Sequence, residues 1–165
     1  MTVLVPMRPE HFEPFRLEAV SSYARDNVAA LRWTEAGAPQ RAKAEFDTLL
    51  PQGPATPEHH LYEIQDGPQG ATVGYLWFTV ASTHGERWAY LYNIRVFPDF
   101  RGRGHASAAL ALLESVAIEL GATAVGLHVF GFNTNAQALY RSLGYGITGF
   151  NMIKRLRPAR ASQGQ

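Results

Sequence analysis

In this chain of 165 residues, the stretch FPDFRGRGHASAALALLESVAIELG (97–121) limits the fold more than any other. It passes from a turn with two arginines and two glycines straight into an alanine- and leucine-rich helix. The residues before it, RWAYLYNIRV (87–96), are aromatic and β-branched, as strands are. Strand, glycine turn and helix together give an α/β reading and also build an anion site. The first backbone N–H groups of a helix lack intrahelical partners and carry the positive end of its dipole. Gly102 and Gly104 let that backbone come close to a ligand, and Arg101 and Arg103 add charge.

The surrounding pattern supplies the other elements. Residues 2–7 read as a strand, and residues 10–30 as a helix with Phe12, Phe15, Ala19 and Tyr23 on one face and Pro9 and Pro14 near its first turn. A second helix fits 39–50, and PQGPATPE (51–58) is a loop. Residues 60–65, 72–81 and 87–96 read as three strands, joined by turn-rich DGPQG and STHGE. After the glycine turn come a helix over 104–120, a strand over 124–130, a helix over 133–144, and a final pair of short strands in YGITGFNMIKRL (145–156). One domain is expected over 1–156, with a disordered tail over 157–165.

Composition removes several function classes. A formal net charge of +1 gives no basis for a nucleic acid or an anionic membrane as partner. With no cysteine, the chain has no disulfide, no thiolate metal site and no cysteine nucleophile. His59-His60 lacks a third ligand at suitable spacing, so no metal is expected. The opening MTVLVPMRPE has no basic region ahead of its apolar run, and the most apolar helix carries Glu114 and Glu119. The expected location is the cytoplasm.

Three known anion motifs fit the turn poorly. It has no lysine for a P-loop, Ser107 stands where a dinucleotide fingerprint needs Gly or Ala, and RGRG occurs once, between a strand and a helix. Arg101-Gly102-Arg103-Gly104-His105-Ala106, by contrast, matches [QR]-x-x-G-x-[GA]. Further on, Asn133, Ala136, Leu139, Tyr140, Gly144 and Tyr145 match N-x-x-A-x-x-L-Y-x-x-x-G-[FY]. On these two motifs, in this order, the chain resembles the GNAT superfamily of N-acetyltransferases.

The resemblance implies an α/β (α+β) GNAT fold: a mixed central sheet of about six to seven strands, splayed parallel strands in its middle, and about four helices around it. It implies acetyl-CoA as co-substrate, with the pyrophosphate over Arg101, Gly102, Arg103, Gly104, His105 and Ala106. The pantetheine arm is then expected along Ile94, Arg95 and Val96, with Asn133 hydrogen-bonded to the cofactor. Direct acetyl transfer to an amine follows, with Tyr140 matching the family's usual general acid. An acid or base often found on the strand before the turn is missing, because Asn93 and Arg95 occupy those places. His128 is the alternative base, with Tyr90 beside it; a strand histidine and a packing aromatic are the plainer readings of this pair. Trp33 and Glu35 are candidates for the acceptor pocket. The acceptor is not named by the sequence, a homodimer through the C-terminal strands is compatible with the family, and a non-catalytic acyl-CoA-binding module is the competing function.

Overall fold

The computed structural model describes residues 1–157. In chain order these form β1 (Thr2–Pro6), α1 (Pro9–Ala29), α2 (Ala38–Leu49), β2 (His59–Asp66), β3 (Thr72–Thr83), β4 (Glu86–Val96), α3 (His105–Glu119), β5 (Ala124–Leu127) and α4 (Thr134–Ser142). The strands make one sheet in the order β1-β2-β3-β4-β5. Neighbours are antiparallel except for the parallel pair β4–β5. This is an α/β fold with a single mixed sheet.

Strand alternation decides which helix covers which face. Leu76, Phe78 and Val80 of β3 pack with Leu91 of β4 against Ala109, Leu110, Leu113 and Ala117 of α3. On the other face Leu61 and Trp77 meet Phe15 and Ala19 of α1 and Phe46 of α2. Pro9 starts α1 where its missing N–H costs nothing, while Pro14 lies inside the helix, which continues through it.

Several expectations are corrected: the parallel pair β4–β5 stands at one edge of the sheet and not in its middle, because no further strand pairs with β5 among the described residues. The sheet has five strands among the described residues, against the expected six to seven. Residues 145–157 carry strand-forming side chains but lie in no ladder. A strand exists only where a neighbouring edge receives its hydrogen bonds, and this segment leaves the sheet instead. Its Arg155 fork donates to the Leu31 carbonyl beyond α1, at 3.0 and 2.6 Å. Phe150, Met152 and Leu156 are left exposed. The strand expected over 124–130 also ends early, at Leu127. The expected tail lies outside the described residues from Pro158 onward. Among the described residues, no helix is long and apolar enough to cross a membrane.

A buried carboxylate joins the start of α1 to the sheet. Glu63 on β2 is fully buried and accepts the Arg8 backbone N–H (3.0 Å) together with Arg8 Nε and Nη2 (both 3.1 Å). Thr72 Oγ1 donates at 2.8 Å, and His11 Nδ1 lies 2.8 Å from Oε1. Although burial raises the carboxyl's pKa, these donors outweigh it and hold the group at about 2.

Candidate active site

β4 is twice committed at one end and half free at the other. It pairs with β3 along its length, but with β5 only from Trp88↔Ala124 to Leu91↔Leu127. Beyond Leu91 the parallel strands part, and a cleft of about 550 Å³ opens between them. Gly74 of β3 marks the tight side of this region, since a Cβ there would stand 2.0 Å from the Arg95 carbonyl oxygen.

A β-bulge sets what the cleft contains. Phe78 pairs with Leu91 and Trp77 with Asn93, so Tyr92 is an extra residue on β4. Strict alternation would put Tyr90 and Tyr92 on one face, and Asn93 and Arg95 on the other. The extra residue shifts the phase, and all four side chains line the cleft. Tyr92 stacks on Trp77 at 4.5 Å and meets Tyr90 edge-on at 4.9 Å.

Tyr140, His128, Tyr90, Ile94, Arg95, Arg101 and Asn133 all border this one cleft. Tyr140 projects from α4, and burial pushes its phenol pKa up, which keeps its proton in place at neutral pH. His128 follows the last residue of β5, with its ring edge-on to Phe130 at 4.8 Å. Desolvation by the cleft wall, and then the charge of Arg32, hold its pKa below 6.5, so the imidazole is neutral at pH 7. Burial raises the Tyr90 phenol.

The remaining expected residues divide. Gly102 (φ 73°) and Gly104 (φ 82°) both adopt the left-handed region, and a Cβ on either would meet nothing within 4 Å. The first backbone bond of α3 runs from Ala108 N–H to the Gly104 carbonyl, so the amides of His105, Ala106 and Ser107 have no helical partner. This turn adjoins the cleft through Arg101, whose Nε donates to the Val96 carbonyl at 3.1 Å. Arg103 Nη2 donates to the Asp99 carbonyl and lies over the Phe100 ring. The His105 side chain turns inward, with Nδ1 3.0 Å from Thr2 Oγ1, leaving only its backbone for a ligand. Asn133 Oδ1 accepts the Ala136 N–H and caps α4. Arg95 is paired with Glu18 of α1. Trp33 and Glu35 do not line the cleft; Trp33 packs edge-on against Tyr23.

The sequence reading missed the helical side of the cleft, where Glu18, Ser22 and Asp26 of α1 stand one turn apart. Their four-residue spacing was a legible signal. Arg32, just past the end of α1, and Glu45 of α2 had no such signal.

The profile of the Acetyltransferase (GNAT) family matches residues 25–145, most of the described chain. The chain belongs to the GNAT acetyltransferase family. It is 35% identical to the uncharacterized N-acetyltransferase YdgE of Bacillus subtilis (strain 168) over 153 residues, covering 93% of this chain and 97% of that protein. The crystal structure of YycN from Bacillus subtilis superposes with a TM-score of 0.89 at 33% identity, covering 95% of this chain and 99% of that one. The thialysine N-epsilon-acetyltransferase of Sus scrofa is 38% identical over 79 residues, 47% of this chain and 46% of that protein.

The GNAT chain is therefore an acetyl-CoA-dependent N-acetyltransferase, and its residues fit such a co-substrate. Open space over two left-handed glycines, three unpaired helix amides and two arginines suits a pyrophosphate. The cleft beside the unpaired half of β4 suits an extended arm.

Proposed function

We propose that this GNAT protein, as one domain over residues 1–156, acetylates a primary amine by direct transfer, with Tyr140 as general acid and His128 as general base. The observation that carries the reading is the meeting of Tyr140, His128 and Tyr90 in one cleft between parted parallel strands. Acetyl-CoA supplies the thioester: the amine nitrogen bonds to its carbonyl carbon, the C–S bond breaks, and the sulfur leaves as thiolate. Tyr140 gives its proton to that sulfur, and His128 accepts the proton that the amine must lose, directly or through a water shared with Tyr90. The backbone of Arg101 to Ala106 holds the pyrophosphate, Ile94 to Val96 lie along the arm, and Asn133 fixes the start of α4 beside it. The Val96 carbonyl is already engaged by Arg101, so the arm meets the Arg101 side chain there. A relative named for N-epsilon acetylation supports an amine on a flexible side chain as acceptor. The uncovered apolar run over 147–156 supports a homodimer through this segment.

Release of free CoA from acetyl-CoA in the presence of an amine panel tests this reading. Binding without release for every amine favours the acyl-CoA-binding module instead.

At the turn, a side chain on Gly104 enters the space assigned to the pyrophosphate. Gly104→Val weakens acetyl-CoA binding at least about tenfold, or 1.4 kcal/mol. Undiminished affinity by calorimetry, in a variant that still folds, removes the turn from the site.

For His128, the wild-type rate rises with pH through a midpoint below 6.5, the histidine's lowered value, and His128→Ala loses this limb. Two amines whose pKa values differ by about two units separate the enzyme's base from the acceptor's own titration. A limb that moves with the acceptor makes His128 structural.

A further inference from the structure

The outer end of the cleft holds an arginine that the acetyl-transfer scheme does not use. Arg32 lines the cleft together with Tyr23, Tyr90 and His128. Two other arginines border the same space, and each has a protein partner: Arg95 on Glu18, and Arg101 on the Val96 carbonyl. The Arg32 side chain has no ion pair or hydrogen bond among the described residues. Two of the three acids of the cleft have partners, and the third, Asp26, lines it from α1. Glu18 is held by Arg95, Glu45 accepts the Tyr23 hydroxyl at 2.9 Å, and Asp26 has a carboxyl whose pKa burial raises.

The backbone that carries Arg32 is fixed with care. Leu31 adopts φ 61°, a left-handed conformation that a leucine rarely takes without compensation. Here the compensation is visible. Arg32 and Trp33 both donate their N–H groups to the Asn27 carbonyl, at 3.0 and 3.2 Å, and Asn27 is itself fully buried with Nδ2 on the Tyr23 carbonyl. From the far end of the chain, the Arg155 fork holds the Leu31 carbonyl. A strained turn braced from three sides thus presents an unpartnered guanidinium to a cleft that must admit an amine. Its charge reaches the centre: it pushes the His128 pKa down, and it lowers the Tyr23 and Tyr90 phenols against burial. A cation in that position repels an acceptor that carries only positive charge. A planar guanidinium with free donors instead suits a carboxylate, which it can bind through two parallel N–H···O bonds.

We propose that Arg32 is a specificity-determining residue that binds a carboxylate on the acceptor, so the amine acetylated here belongs to an amino acid or to a peptide with a free C-terminus. This inference rests on the amine-transfer reading above and narrows it. An unsubstituted diamine or polyamine is then a poor acceptor.

The test uses acceptors in pairs that differ only by the carboxylate: 6-aminohexanoate against 1-aminohexane, L-lysine against 1,5-diaminopentane, and short peptides with free against amidated C-termini. Expected is a kcat/KM at least about tenfold higher for the carboxylate member, mainly through KM. Arg32→Gln brings that ratio towards one, and Arg32→Lys, which keeps the charge but not the fork, retains part of it. Acetyl-CoA affinity measured on each variant by calorimetry checks that it is folded. Equal rates within the pairs, or a ratio that survives Arg32→Gln, overturn the proposal while leaving amine acetylation intact. Preference for 2-aminoethyl phosphate over β-alanine overturns the carboxylate assignment. If acetyl-CoA binds but no amine or peptide is acetylated, the amine-transfer reading fails, and this proposal fails with it.

Discussion

Tyr140→Phe lowers kcat by about 10² to 10⁴, the range lost with a general acid. The KM for acetyl-CoA changes little, because the hydroxyl matters once the sulfur carries negative charge and not before. Burial suits the residue to the proposed role, since it raises the phenol pKa and so holds the proton in place at neutral pH. The ring also packs 5.6 Å from Tyr145, and phenylalanine preserves that contact. Loss of packing is therefore separated from loss of the proton. Single-turnover rates are the measurement, so that product release does not mask the chemical step. A variant that keeps more than about half of wild-type turnover in that experiment reduces Tyr140 to a packing residue.

Glu63→Gln destabilises the protein by about 1.5–3 kcal/mol, the usual worth of hydrogen bonds to a charged group, since the Arg8 left behind is half-exposed and keeps its water. The amide replaces one acceptor oxygen with a donor NH2, so it cannot receive Arg8, His11 and Thr72 as the carboxylate does, and Arg8 keeps only Glu10, 4.0 Å away, as an ion-pair partner. The same group sets an acid limit. Its pKa falls from an ordinary 4.5 to about 2 on folding, so its contribution is complete above pH 4.5 and is lost as pH drops towards 2. That shift corresponds to about 3 kcal/mol. Chemical denaturation from pH 6 to pH 2 should show a steeper loss of stability for wild type than for Glu63→Gln. Parallel slopes would show that the unfolded chain already lowers this carboxyl, or that the network carries little energy.

The local structure of the motif-bearing half of the protein was legible from its residues alone. The backbone of Arg101 to Ala106 and of Asn133 to Tyr145 was readable because it is local: left-handed glycines, a helix start and a helix cap act within a few residues of themselves. The boundaries of α3, of β3 and β4, and of the two N-terminal helices were legible for the same reason, since periodicity and turn chemistry set them. The composition of the site was only partly so. Asn93 and Arg95 read as vacant carboxylate positions, but a bulge at Tyr92 turns them, with Tyr90, into the cleft, and nothing in RWAYLYNIRV announces the extra residue.

What tertiary structure alone decided was pairing, and pairing is a property of two segments at once. YGITGFNMIKRL has the side chains of strands, yet it forms none among the described residues: its backbone pairs with no sheet edge, and its Arg155 reaches the Leu31 carbonyl instead. Glu63 reads as an ordinary polar position on a half-buried strand until Arg8, His11 and Thr72, distant in sequence, close around it. Arg32, an exposed arginine after a helix, takes on meaning only when the fold brings it to the cleft of Tyr90 and His128 with no ion-pair partner among the described residues. In each case the free energy of a polar group depends on which partners the fold brings within about 3 Å, and that is information no single segment contains.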